Sequence, residues 1–252
     1  MNVVLLEVDE VDGGWVTLAD RRAEHIVKVL RAETGDKVRI GKIDGKMGTG
    51  TITNIKKKYP FSVELQVECN DAPPESPPVD LILALPRPIM LKRILSQVTA
   101  LGVGAIHLIN ANRVEKSFWD AGILDPEESR FHLLQGLEQA VDTRVPELYI
   151  HKRFKPFIED FFPAITDNYQ TRLLGDPGGR KNLGEVVNSG QGRVVLAVGP
   201  EGGWVDYEIT RFQEQRFCCC TLGERILKVD TAVVALHSRI SAFREIVPEG
   251  DI

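Results

Sequence analysis

Two short apolar runs, Val194 to Val198 and Phe217 to Leu222, are each followed at once by glycine and then by a stretch with helical spacing. Apolar runs of this length bounded by turn residues predict buried strands. The first continues through Gly199-Pro-Glu-Gly-Gly-Trp204 into Val205 to Phe212, which has helical character. The second continues through Gly223-Glu-Arg-Ile-Leu-Lys228 into a helix whose Val229, Val233, Leu236 and Ile240 share one face. Strand, Gly-rich turn and helix, repeated, predict an α/β sheet that holds a ligand at its strand ends.

Upstream the pattern changes. Val3–Val8, Trp15–Leu18, Lys37–Ile40, Gly50–Ile55 and Phe61–Val67 read as short strands, punctuated by Asp12-Gly-Gly14, Gly41, Asp44-Gly45 and Tyr59-Pro60. That spacing predicts a small β-barrel over residues 1–72. Four prolines within Asp71-Ala-Pro-Pro-Glu-Ser-Pro-Pro78 mark an extended linker over 73–78, and residues 79–252 form the second domain. Val79–Leu85 is apolar throughout, as parallel-sheet strands are. Pro88 opens a helix with Leu91, Leu95, Val98 and Leu101 as its buried stripe, and Gly102 ends it. Ala105–Ile109 follows as a strand, with His107 expected as a satisfied core histidine. Asn110, Asn112, Arg113 and Lys116 come after it, where open α/β sheets place ligands. A further helix is expected from Glu127 to Val141. Thr171–Gly175 reads as a strand ending in Gly175-Asp-Pro-Gly-Gly179, and Phe154, Phe157, Phe161 and Phe162 are expected to cover the sheet.

Composition narrows the class. The chain has 252 residues, 43% hydrophobic and 27% charged, which is ordinary for a soluble globular protein. No apolar run approaches the roughly 20 residues of a membrane span, and Glu7, Asp9 and Glu10 do not suit a signal peptide, so a cytoplasmic location is expected and no membrane partner. The net charge of −5 argues against a generic polyanion binder. The distribution changes that picture: residues 21–58 carry eleven Lys and Arg against four acids (Glu24, Glu33, Asp36 and Asp44). An excess of seven on a small barrel suffices for several phosphate contacts. Cys69 and Cys218 to Cys220 have no metal-ligand spacing, and no metal is expected; they read as small buried residues.

The loops exclude some ligands. Gly199-Pro-Glu-Gly-Gly203 is not Gly-x-Gly-x-x-Gly, and no Gly-Lys-Ser/Thr occurs. Pro200 lacks an amide donor and Glu201 would repel a pyrophosphate, so a neutral or cationic ligand fits better. No Gly-x-Ser-x-Gly elbow or zinc motif is present.

Gly199-Pro-Glu-Gly-Gly203 after an apolar strand, followed by Leu222-Gly-Glu-Arg-Ile-Leu-Lys-Val-Asp-Thr-Ala232, resembles the 16S ribosomal RNA uracil-N3 methyltransferase family of the SPOUT class. The resemblance covers nearly the whole chain and departs at Asp230, where the family usually has Glu. It implies a PUA-like RNA-docking barrel followed by a trefoil-knotted α/β domain, S-adenosylmethionine as cofactor, small-subunit ribosomal RNA as partner and a homodimer. By the same resemblance the cofactor residues are Leu174, Gly175, Val198, Gly199, Pro200, Glu201, Gly202, Gly203, Leu222, Gly223, Ile226, Leu227 and Thr231. His25-Ile-Val-Lys-Val-Leu-Arg31 is similar to the family's barrel signature, and Glu138-Gln-Ala-Val-Asp-Thr-Arg-Val-Pro146 to its Glu-Gln-x-x-x-x-Arg-x-Pro. The RNA candidates are accordingly Arg21, Arg22, His25, Lys28, Arg31 and Arg144, the last with a dimer contact as its alternative. The family's arginine near the first strand is absent.

Methyl transfer asks the protein for alignment and a route for the departing proton. Uracil N3 must lose its proton, and arginine donors on the ring carbonyls would stabilise the anion. Arg225 is the candidate for that task, with Asp230 or Glu201 as base. Two rivals stay open: a SPOUT ribose 2′-O-methyltransferase, whose third motif Val229-Asp-Thr-Ala232 does not match, and a non-catalytic RNA-binding protein of the same fold.

Overall fold

The computed structural model describes residues 1–179, 181–187 and 192–245. The chain forms two compact units, Met1–Glu75 with Leu133–Val145, and Ser76–His132 with Pro146–Ile252. Residues 133–145, which the sequence pattern left within the second domain, group with the first.

The first unit is built on five strands: β1 (Val4–Leu6), β2 (Trp15–Leu18), β3 (Lys37–Lys42), β4 (Met47–Lys56) and β5 (Ser62–Asp71). Their order is β1-β3-β4-β5-β2, with β1 parallel to β3 and the other pairs antiparallel. Side-chain alternation decides which face is buried. Val16 and Leu18 point inward from β2, and Val63, Leu65 and Val67 from β5, while the residues between them are more exposed. These side chains close on Leu6, Ile26, Ile40 and Ile52 as one core. Gly48 sits where β4 shifts register against β5: a Cβ there would lie 1.9 Å from the Glu68 carbonyl oxygen, so no other residue fits. Helix α1 (Arg21–His25) starts at Asp20, whose carboxylate accepts the Arg22 N–H, and it runs into a wider turn, Ile26–Leu30. Arg31 ends that turn with φ +54°.

The second unit is a seven-stranded parallel sheet. In chain order its strands are β6 (Val79–Ala84), β7 (Ala105–Ile109), β8 (Glu147–His151), β9 (Tyr169–Gly175), β10 (Lys181–Asn182), β11 (Arg193–Val198) and β12 (Cys218–Thr221). Across the sheet they run β10-β12-β9-β11-β6-β7-β8. The chain moves outward from β6 to β8, crosses to β9, and returns to place β11 between β9 and β6. That reversal of direction opens a crevice at the strand C-termini.

Helix α2 (Pro88–Leu101) buries Leu91, Ile94, Leu95 and Val98. Leu101, expected in that stripe, is 40% exposed. At 3.6 residues per turn it lies about 80° from Leu91, at the stripe's edge, and Gly102 ends the helix beside it with φ +88°. Helix α3 (Pro126–Ala140) follows β7. Strand β8 is legible only in the structure. It is an edge strand with mostly exposed or half-exposed residues, so its sequence lacks the apolar alternation that marks a strand.

Helices α4 (Phe154–Pro156) and α5 (Phe162–Ile165), with the wider helical turn Phe157–Phe161 between them, place the four phenylalanines over the sheet as expected: Phe157 and Phe162 are fully buried in one cluster with Ile82, Ile109 and Val195, with Phe154 and Phe161 at the margin. His107 is 2% exposed, and its Nδ1 lies 3.2 Å from His151 Nε2 in a shared hydrogen bond. Helices α6 (Asp206–Glu214) and α7 (Val229–Glu245) complete the unit. In α7, Val229, Val233, Leu236 and Ile240 are buried, while Val234 and Ala235 are half-buried. Of the cysteines only Cys220 is buried; Cys69, Cys218 and Cys219 are half-buried. No described helix is long and apolar enough to cross a membrane.

Candidate active site

The crevice is a cavity of about 470 Å³ at the C-terminal ends of β9, β11 and β12, closed by the residues that precede α2 and by the start of α7. Its volume falls in the range of small-molecule sites, roughly 300–1,000 Å³. Three turns line it. Gly175, Asp176 and Pro177 follow β9; Val198 to Glu201 and Gly203 follow β11; Thr221 to Gly223 and Arg225 to Val229 follow β12.

Backbone geometry explains the glycines. Gly223 has φ +109° and open space where a Cβ would project. A Cβ on Gly199 would come 3.1–3.2 Å from the indole of Trp204, which is 6% exposed and packed on Phe212 with ring centroids 5.1 Å apart. A Cβ on Gly175 would meet Leu236 at 2.9 Å. Glycine at these positions lets strands, helix α7 and an occupant of the cavity approach one another closely.

The chemistry of the lining is mixed. Val198, Leu222, Leu227, Val229, Ala232 and Leu236 make apolar walls. Among the described residues, the backbone N–H groups of Ile226 and Leu227 make no hydrogen bond within the protein, so donors stand free on the second Gly-containing turn. Asp176 and Glu201 contribute carboxylates, and Arg87, Arg225 and Lys228 cations. The Glu201 carboxylate accepts the Arg87 backbone N–H at 3.1 Å, at the start of α2. That fixes Glu201 across the mouth of the helix, where a free N–H would otherwise face outward. Burial and its Cys neighbours push the Cys220 thiol up to about 12, so it lines the cavity as an uncharged group.

The structure brings most of the expected residues to this cavity. Gly175, Val198, Gly199, Pro200, Glu201, Gly203, Leu222, Gly223, Arg225, Ile226 and Leu227 all line it. Leu174 does not; it is fully buried beneath, and its carbonyl faces the Cys220 thiol. Gly202 lies under the side chain of Arg113, which donates to its carbonyl oxygen. Asp230 and Thr231 begin α7 outside the lining, with the Asp230 carboxylate accepting the Thr231 N–H at 2.9 Å. Sequence reading missed Arg87, Met90, Asp176, Pro177, Cys220, Thr221, Lys228, Val229, Ala232 and Leu236. Asp176 and Pro177 follow Gly175 directly and were within reach; Arg87 and Met90 carry no local signal, because only the sheet order brings them here.

The basic candidates of the first unit divide into two groups. Arg21 forms a two-pronged pair with Glu138 at 2.9 and 2.6 Å, and Glu138 is 4% exposed. Arg22 is held by Glu10, Asp20 and the Leu5 carbonyl. Arg144 donates through Nε to the Pro74 carbonyl and through its backbone N–H to Asp142. These three arginines brace the unit itself. His25 is half-buried, and burial together with the nearby N-terminal ammonium lowers its pKa, which favours the neutral ring. Lys28 bonds Glu24 at 2.6 Å, four residues back, and Arg31 is exposed.

Relatives share this fold. Residues 74–241 match the RNA methyltransferase domain family, and residues 18–65 match the RNA methyltransferase PUA domain. A protein of Treponema pallidum named ribosomal RNA small subunit methyltransferase E is 32% identical over 238 residues, covering 93% of this chain and 88% of that protein. Ribosomal RNA small subunit methyltransferase E 1 of Borreliella burgdorferi is 28% identical, covering 93% and 95%. Among solved structures, the ribosomal RNA small subunit methyltransferase E of Neisseria gonorrhoeae, bound to S-adenosylmethionine, superposes with a TM-score of 0.76 at 22% identity over 97% of this chain and 98% of that one, which establishes the fold. The chain belongs to the RNA methyltransferase family that includes the ribosomal RNA small subunit methyltransferase E proteins.

Proposed function

We propose that this protein transfers a methyl group from S-adenosylmethionine to N3 of a uridine in small-subunit ribosomal RNA, in the cytoplasm and as a homodimer. The observation that carries the reading is the cavity itself: three Gly-containing turns at the ends of parallel strands, with apolar walls, free backbone donors and no phosphate cradle. The apolar side chains of Leu222, Leu227 and Leu236 suit a flat heterocycle, and the unpaired N–H groups at Ile226 and Leu227 suit its polar edge. The carboxylates of Asp176 and Glu201 suit a cation in the same space. When bound, S-adenosylmethionine supplies an activated methyl group.

The chain's own residues would then orient the acceptor and take its proton. Arg225 lines the cavity and is exposed on its outer side, so its guanidinium can meet an incoming base and stabilise charge on the uracil carbonyls. Of the two candidate bases, Glu201 is the one in the lining, where it accepts the Arg87 backbone N–H; Asp230 accepts the Thr231 N–H at its own helix start. The homodimer reading is supported by the half-buried Val234 and Ala235 on α7 and by Ile226, which is 84% exposed at the edge of the cavity. The knotted chain path implied by the family resemblance belongs to this reading.

Nucleoside mass spectrometry of ribosomal RNA from cells with and without the protein tests it directly. Loss of 3-methyluridine from small-subunit RNA is expected. Loss of a 2′-O-methylated nucleoside instead would select the ribose methyltransferase reading, and unchanged RNA with no cofactor binding by calorimetry would select the non-catalytic one.

A further inference from the structure

The hairpin between β4 and β5 ends in Lys56-Lys-Lys-Tyr-Pro-Phe61, and it combines features that the cavity chemistry does not use. Tyr59 is 86% exposed, higher than any other large apolar or aromatic side chain described as exposed. Single exposed apolar side chains are common on protein surfaces, so exposure by itself carries no argument. The ring is nevertheless supported. Phe61 meets it edge to face, with centroids 6.0 Å apart and planes at 86°, and Phe61 itself packs against the core of the first unit. The Lys28 ammonium sits 5.0 Å from the Phe61 ring centroid, so the turn after α1 holds this aromatic pair from a second side. The charges around it are partly free. Lys57 pairs with Glu33 at 2.9 Å, whereas Lys56 and Lys58 have no ion pair among the described residues.

We propose that Tyr59 is a stacking platform for an unpaired base of the ribosomal RNA substrate, with Lys56 and Lys58 bound to the phosphates on either side. This rests on the reading that the first unit docks RNA. A rigid, outward ring beside unpaired cations has the two elements that single-stranded nucleic acid requires, a π-face for a base and positive charge for the backbone. Double-stranded RNA would offer phosphates to the lysines but no open base face to the ring.

The test is fluorescence titration of the full-length protein with a single-stranded oligoribonucleotide of small-subunit sequence carrying one 2-aminopurine, across a salt series. The same strand annealed to its complement, and intact small subunits, serve as parallel ligands. Tyr59→Ala is expected to weaken single-strand binding about tenfold, to abolish quenching of 2-aminopurine and to leave the salt slope unchanged. Tyr59→Trp restores both binding and quenching. Lys56→Ala with Lys58→Ala flattens the log–log slope by about 1.4, at roughly 0.7 per phosphate contact. Single-strand binding by Tyr59→Ala equal to wild type, while the double lysine variant is weakened, overturns the stacking role and leaves RNA docking standing. Absence of wild-type binding to every one of the three ligands overturns the docking reading and the inference with it. A loss by Tyr59→Ala seen with intact subunits alone assigns the surface to a protein contact, and overturns it as well. Because Tyr59 is exposed, the variants keep the wild-type melting temperature, which checks that the fold is intact.

Discussion

The guanidinium of Arg113 donates to the carbonyl oxygen of Gly202, so the segment after β7 is latched to the turn after β11. The latch is close: a Cβ on Gly202 would lie 2.9 Å from Arg113 Cδ. Glu208, 2% exposed, adds to it by accepting the N–H groups of Asn112 at 2.6 Å and Val205 at 3.0 Å. Arg113→Ala is therefore expected to loosen the turn and weaken S-adenosylmethionine binding about five- to tenfold, with a melting temperature near that of wild type. Glu208→Ala leaves two amides without partners and is expected to cost about 2 kcal/mol of stability. Calorimetric titration and thermal melting separate the two; unchanged affinity in folded Arg113→Ala would sink the latch.

Gly199→Val and Gly223→Val should both abolish cofactor binding, by different routes. At Gly199 the new side chain drives into the buried Trp204, so stability falls together with binding. At Gly223 nothing stands in the way, and the cost of φ +109° is strain of about 1–3 kcal/mol that the exposed turn relieves by refolding locally. A lowered melting temperature is expected for Gly199→Val and a near-normal one for Gly223→Val. Retained affinity in either would refute the role of these turns.

Arg225→Ala should lower the methylation rate by roughly a hundredfold or more while changing cofactor affinity by less than about threefold, because charge on the uracil develops only in the transition state. Single-turnover assays alongside calorimetry check this. Equal losses in rate and cofactor affinity would mean that Arg225 belongs to the cofactor site instead.

Val234→Asp on α7 tests the homodimer. In a two-fold interface each contact occurs twice, so one buried charge acts on both chains. The expected product is a folded monomer without activity, read by light scattering and a methylation assay. A monomer that still methylates RNA contradicts the dimeric reading.

Acid should weaken the second unit through His107. Burial, with His151 adding to it, holds the His107 ring down at about 4 from an ordinary 6.5. The unfolded chain takes up a proton below 6.5 and the folded chain only near 4. Stability is thus fully present above pH 6.5 and is lost as pH falls from 6.5 to 4, by about 3 kcal/mol in all. Urea unfolding at pH 7, 5.5 and 4.5 measures the slope. His107→Phe, which keeps a ring in the stack with Tyr149, should flatten it.

Much of this protein is legible in its sequence, and the reason is local. Strands such as β2, β5, β6 and β11 announce themselves because each buries one face or both, so the apolar pattern follows the backbone period. The Gly-containing turns at 199–203 and 222–223 are legible because positive φ and close approach leave few other residues possible. Edge strand β8 buries little and so carries no pattern. Tertiary structure alone decided the rest. It placed β11 between β9 and β6, which brings Arg87 and Met90 to a cavity whose other lining residues lie 85 or more positions further along the chain, from Gly175 onward. It also committed Arg21, Arg22 and Arg144 to intramolecular partners, although their sequence neighbourhood resembles an RNA surface. A sequence records what each residue can do, because charge, shape and backbone freedom are local properties. Which of those capacities is used depends on what packs beside the residue, and long-range strand order sets that.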